Sequence, residues 1–128
     1  MRQGTPIGRV RGLGPAHQGT HHWLVQRFTA IGNLFAVLWL LGSFLLLPQL
    51  DYATVTQWLG SPVSAVLLAL LIISVFWHAR LGLQVLTEDY VHDAGTKFGV
   101  VVLMNLAVFA GAAFALFCIA SLAFGGAA

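Results

Sequence analysis

Three long apolar runs, separated by two short polar stretches, organise the chain. Phe28 to Leu47 contains no charged residue; Val63 to Trp77 is interrupted only by Ser64 and Ser74; Phe98 to Phe124 only by Asn105 and Ser121. About 20 apolar residues in helical form cross the ~30 Å of hydrocarbon in a bilayer. Each run therefore predicts a membrane-spanning helix, over about 23–47, 62–86 and 97–124. Pro62 suits the first turn of a helix, where its missing N–H costs little. Trp23 and Trp58 suit the interface, where an apolar ring carrying one N–H is comfortable. Pro48 to Ser61 reads as the first loop, part of it a short surface helix, and Thr87 to Thr96 as the second. The spans are apolar nearly all round, so their periodicity does not say which face meets which neighbour. Gly99, Gly111, Ala112 and Ala113 in the third are small residues of the kind that let membrane helices approach closely.

Composition supports this reading. Of 128 residues, 59% are hydrophobic and 8% charged, against about 25% charged in an ordinary soluble domain. Residues 1–20, rich in Gly and Arg with Pro6 and Pro15, read as an irregular N-terminal arm, and residues 21–128 as one three-helix membrane anchor domain. The first apolar segment exceeds the 7–15 residues of a signal-peptide core, so it is expected to be retained. Nothing in the small net charge of +2 supports nucleic-acid binding. Cys118 has no intrachain partner and reads as a small buried hydrophobe. Arg2, Arg9, Arg11 and Arg27 flank the first span on its N-terminal side, Arg80 and Lys97 flank the second loop, and the first loop has neither Lys nor Arg. The positive-inside rule then places the N-terminus and second loop in the cytoplasm. The expectation is an all-α, multi-pass membrane protein with a cytoplasmic N-terminus.

Polar chemistry is concentrated between Ser74 and Asp93, which hold two of the five histidines and three of the four acidic residues. An ionisable side chain at membrane depth is costly and marks a candidate functional site. His78 is such a residue, either a ligand of haem iron or a histidine hydrogen-bonded to a neighbouring helix. Gly82, one turn on, leaves room beside it for a flat macrocycle. Arg80 points away from His78 and reads as a topology anchor snorkelling to the surface. Asp89 and Tyr90 form a second pair: a phenol donates to a carbonyl and a carboxylate orients partners or relays protons, and the alternative is a solvated loop. His21, His22 and Arg27 form a third group, with Arg27 suited to a carboxylate or to interface anchoring. His17, Glu88, His92 and Asp93 read as loop residues.

With His78 followed eleven and twelve residues later by Asp89 and Tyr90, within His-Ala-Arg-Leu-Gly-Leu-Gln-Val-Leu-Thr-Glu-Asp-Tyr-Val-His, the chain resembles the D-type cytochrome b membrane-anchor subunits of succinate dehydrogenase, respiratory complex II. His-His-Trp-Leu-Val-Gln-Arg-Phe-Thr-Ala-Ile before the first span and the three-span layout add to the resemblance, which covers about His21 to the chain end. It implies that His78 is one axial ligand of a haem b, and that the second ligand comes from a three-helix partner, the C-type anchor of the same complex. It implies that Tyr90 hydrogen-bonds ubiquinone with Asp89 beside it. It also implies that Arg27 and one of His21 or His22 lie near the haem propionates. The further partners it implies are the iron–sulfur and flavoprotein subunits, which carry out the succinate chemistry; this chain itself has no catalytic residue. A competing expectation is a non-catalytic three-span adaptor or assembly protein docking a partner through residues 87–96. A small transporter is disfavoured, since no span pair shows the Gly or Pro interruptions expected of one.

Overall fold

A computed structural model describes residues 17–125. It is helical throughout, with α1 over His17–Leu46, α2 over Tyr52–Gly60, α3 over Pro62–Tyr90 and α4 over Ala94–Gly125. Three of these are long and apolar enough to cross a membrane, at Thr20–Leu46, Pro62–Tyr90 and Ala94–Gly125. The expected arm lies outside the described residues except for its last four positions, which are the start of α1.

The chain packs as a layer rather than a closed bundle. α1 and α4 each pack along α3, α2 rests on α3 and α4, and α1 makes no close approach to α4. Among the described residues every buried one belongs to α3: Ser64, Ala65, Leu68, Leu71, Leu81 and Thr87. Only α3 has a long helix packed on each of two sides. Large apolar side chains such as Phe28, Phe35, Leu103 and Phe114 remain exposed on the outer spans. A surface this apolar is tolerated only against lipid or another apolar protein face. Cys118 is part of it, exposed on α4 and not buried as its apolar surroundings suggested. The isolated chain has no neighbour on that side of α4.

Several hydroxyl side chains inside the spans are satisfied by their own helix, as a medium without water favours. Thr29, Ser43 and Thr87 donate to the carbonyls four residues earlier, of Val25, Trp39 and Leu83, each at 2.8 Å. The short α2 is capped by Asp51, whose carboxylate accepts from Thr54 N–H at 3.0 Å. Hydrogen bonding by Thr54 holds that carboxyl below its ordinary pKa. Trp58 of α2 lies against Trp39 and Phe44 of α1, with ring centroids 5.7 and 5.2 Å apart. At the C-terminal end of α2, a Cβ on Gly60 would sit 3.0 Å from the Leu122 carbonyl oxygen of α4.

The α3–α4 contact needs a glycine. A Cβ on Gly111 would lie 2.7 Å from Cε1 and 3.1 Å from Cζ of Phe76. Gly111→Val is expected to lower the detergent-solubilised unfolding temperature, at a cost of about 1–3 kcal/mol for overpacking. Phe76→Leu in the same chain is expected to recover part of the loss, because residues in contact are not additive. Additive losses would count against this contact.

The second loop is only three residues long, and this corrects the sequence expectation. Thr87 to Tyr90 are the last turn of α3, and α4 begins at Ala94, three residues before Lys97. Asp93 caps α4, accepting from Thr96 N–H at 2.8 Å through its side chain and from Lys97 N–H at 2.9 Å through its carbonyl. Lys97 Nζ reaches back 3.3 Å to the Glu88 carbonyl, so the two helix ends are tied together. Hydrogen bonds from Thr96 hold the Asp93 carboxyl below its ordinary 3.8. A folded-state pKa below the unfolded one contributes stability above the unfolded value, lost as pH falls through the folded one. Amide exchange at Thr96 is therefore expected to quicken, relative to the intrinsic rate, only below about pH 4, the ordinary carboxylate range. Asp93→Ala should quicken it already at neutral pH. Exchange at Thr96 indifferent to both changes would remove the cap from the account.

Candidate functional site

His78 lies on α3, half-buried, where α1 crosses it. Twelve residues separate it from Tyr90, about 18 Å along the helix axis. It is thus deeper than an end at Leu86 would have placed it. Its Nδ1 is 3.0 Å from Thr29 Oγ1 of α1. Thr29 Oγ1 is also 2.8 Å from the Val25 carbonyl and 3.1 Å from that of Gln26. Thr29 is not among the candidates that the sequence offers. Its only signal there is a hydroxyl in an apolar run, and nothing local says which helix it meets.

Continuing α3 to Tyr90 changes how the polar residues relate. At 100° per residue, Asp89 falls within about 20° of His78, three turns on, with Gly82 and Val85 between them on the same stripe. Tyr90 is displaced a further 100° around the axis and is 77% exposed. Asp89 and Tyr90 are therefore held by helical backbone in fixed register with His78, about 16–18 Å away. A Cβ on Gly82 would meet nothing within 4 Å, so the surface beside the imidazole is open. One turn the other way, Ser74 begins an apolar groove of about 430 Å³ between α1 and α3, where Gly32, Asn33 and Trp39 face Leu67 and Leu71. The Asn33 side-chain oxygen is buried without a hydrogen-bond partner.

The α1 residues are not all gathered here. His22 falls on the Thr29 face of α1, two turns nearer its start, and His21 about 80° away from it. His22 is half-buried, its Nε2 lacking a hydrogen-bond partner, while His21 is exposed. Arg27 projects from the opposite side of α1 to Thr29, with its guanidinium 5.5 Å from the centre of the Trp23 ring. Arg80 does not extend to the surface as an anchor would. Its Nε donates to Asn105 Oδ1 on α4, and its guanidinium lies 5.2 Å from the Trp77 ring centre. Asn105 in turn donates to the Val101 carbonyl at 2.8 Å. A charge in the span is thus matched by a side-chain dipole and an aromatic face, and Arg80 joins α3 to α4 on the side away from His78.

Chemically, this arrangement offers one imidazole, with Nδ1 engaged by Thr29 and Nε2 left by that bond for another partner. Among the described residues no three His, Cys, Asp or Glu side chains come together to enclose a metal ion. One imidazole beside an open strip at Gly82 would suit a planar iron macrocycle, with His78 as one of the residues that would hold the iron.

Comparison with known proteins agrees with the architecture. Residues 1–120 match the family model described as succinate dehydrogenase/fumarate reductase transmembrane subunit. The chain is 38% identical over 85 residues to the succinate dehydrogenase hydrophobic membrane anchor subunit of Rickettsia bellii, an alignment covering 66% of this chain and 68% of that one. It is 31% identical over 123 residues to the protein of the same name from Paracoccus denitrificans, covering 91% and 92% of the two chains. It is also 35% identical over 82 residues to the succinate dehydrogenase membrane anchor subunit of Reclinomonas americana, covering 62% and 68%. With three apolar helices and such bacterial relatives, this is a multi-pass integral protein of the bacterial inner membrane. Its spans, its polar corner at the end of α3 and the match along nearly its whole length make the chain a member of the succinate dehydrogenase/fumarate reductase transmembrane subunit family.

Proposed function

We propose that this chain, as the hydrophobic membrane anchor of a succinate dehydrogenase, holds one side of a haem b through His78 and one side of a ubiquinone site through Tyr90 and Asp89. The observation that carries the reading is the hydrogen bond from His78 Nδ1 to Thr29, which fixes the ring between two helices and leaves Nε2 for iron. A bound haem b supplies one-electron transfer at a potential tuned by its ligands and surroundings. The remaining functions belong to the chain's own groups. His78 holds the iron from the α3 side. The Tyr90 hydroxyl donates to a quinone carbonyl and stabilises negative charge growing on that oxygen. Asp89, the residue before Tyr90 on the same rigid helix end, orients the donors and passes a proton from the aqueous side. Arg27 and the His21–His22 pair, at the same end of the molecule, serve the propionates; the orphaned Nε2 of His22 is a donor or acceptor awaiting such a partner.

The exposed spans support an incomplete unit: a further iron ligand and the other walls of both sites would come from a second three-helix anchor. The iron–sulfur and flavoprotein subunits dock on the cytoplasmic side, where α1 begins and the α3–α4 turn lies. The test is to purify the complex with and without this chain. With it, a b-type reduced-minus-oxidised spectrum and succinate-driven quinone reduction are expected. Without it, quinone reduction should fall away while the catalytic subunits still oxidise succinate with a soluble acceptor. A complex with no haem, reducing quinone normally without the chain, would favour an adaptor docking through residues 87–96.

A further inference from the structure

We propose that Thr29 is a positioning residue that sets the protonation pattern of His78, holding the proton on Nδ1 and the lone pair on Nε2. The inference rests on the reading of His78 as an iron ligand and goes further, because it assigns a task to a hydroxyl on another helix. Three groups surround Thr29 Oγ1: the Val25 carbonyl at 2.8 Å, the Gln26 carbonyl at 3.1 Å and His78 Nδ1 at 3.0 Å. A carbonyl oxygen only accepts, and a hydroxyl carries one proton. Two oxygens 2.8 Å apart need a proton between them, and the Thr29 hydroxyl has the only one available. Its proton therefore goes to the helix carbonyl, the usual arrangement for a threonine inside a helix. Its lone pairs are left facing His78, so the imidazole must donate, Nδ1–H to Oγ1. The proton cannot then be on Nε2 of a neutral ring. The same geometry fixes the plane of the ring, since the acceptor sits on a helix whose own backbone carbonyl holds the hydroxyl rotor.

Outer partners of metal-bound histidines set tautomer, orientation and ligand basicity, and their loss typically costs 10–100-fold in affinity. An Nδ1–H that donates makes the imidazole a stronger electron donor, which favours the oxidised iron and lowers the midpoint potential. Thr29→Val keeps the shape and removes the acceptor. In the assembled complex it is expected to raise the haem midpoint potential and to weaken haem retention during washing about 10–100-fold. Thr29→Ser, which keeps the hydroxyl, is expected to restore both. His78→Ala, measured alongside, separates the two ideas. If it leaves the b-type spectrum intact, iron ligation by His78 fails and the role of Thr29 with it. If it abolishes the spectrum while Thr29→Val keeps wild-type potential and retention, only the role of Thr29 is overturned. Should Thr29→Val not assemble, Thr29→Ala removes the same acceptor without added bulk, and the same two quantities decide.

Discussion

His78→Ala in the assembled complex is expected, on the proposed iron ligation, to abolish the b-type difference spectrum. The loss of an outer partner of a ligating histidine already costs about 10–100-fold in affinity, so removal of the proposed ligand should lower haem content by at least about an order of magnitude. Among the described residues the imidazole is the ionisable group of α3 that pairs with α1, and its Nδ1 is engaged at 3.0 Å. The alanine variant leaves Thr29 bonded to its own helix carbonyls, so no buried group is orphaned on α1. Helix packing should then survive, and membranes from the variant should contain the chain at near-normal amount. An unchanged spectrum would leave His78 as a packing residue only and would remove the central support of the proposed function.

Tyr90→Phe is expected to slow succinate-driven quinone reduction by on the order of 10²-fold, the usual effect of removing one preorganised donor from a developing oxyanion. Succinate oxidation with a soluble acceptor should be unaffected, because the change lies outside the soluble catalytic subunits. The phenyl ring keeps the apolar body of Tyr90 and the α3 turn that bears it, so the hydroxyl is the only group lost. The decrease should appear in the maximal rate more than in the quinone concentration needed, since a donor that strengthens as charge develops acts on the transition state. Equal loss of both activities would mean that the variant disturbs assembly, and would remove Tyr90 from the quinone site.

Some of this site is legible in the residues alone and some is not, for reasons that differ from residue to residue. His78 stands out because a polar group beside an apolar run is costly wherever it packs, and Asp89 and Tyr90 stand out by their spacing from it. The length of α3 is less legible. Thr87, Glu88 and Asp89 are compatible with a polar loop, and what extends the helix through them is a three-residue turn closed by the Asp93 cap and Lys97 reaching back to Glu88. That extension bears on the proposed quinone site, because it carries Asp89 and Tyr90 on rigid backbone instead of a loop. Arg80 departs from its expected place for a similar reason: its charge suggests the surface, while its actual partner, Asn105, lies 25 residues away on another helix.

The sequence by itself determined that this is a three-span membrane protein with one concentrated polar end, because crossing hydrocarbon depends on the length and apolarity of a segment and on little else. Only the tertiary structure decided that α3 is the central helix, that Gly111 is where α4 meets Phe76, and that Thr29 is what His78 touches. Spans apolar on every side carry no record of which face meets which helix. That choice is made by close packing and by a few polar pairs between residues far apart in the chain, and it becomes visible only when the helices are brought together.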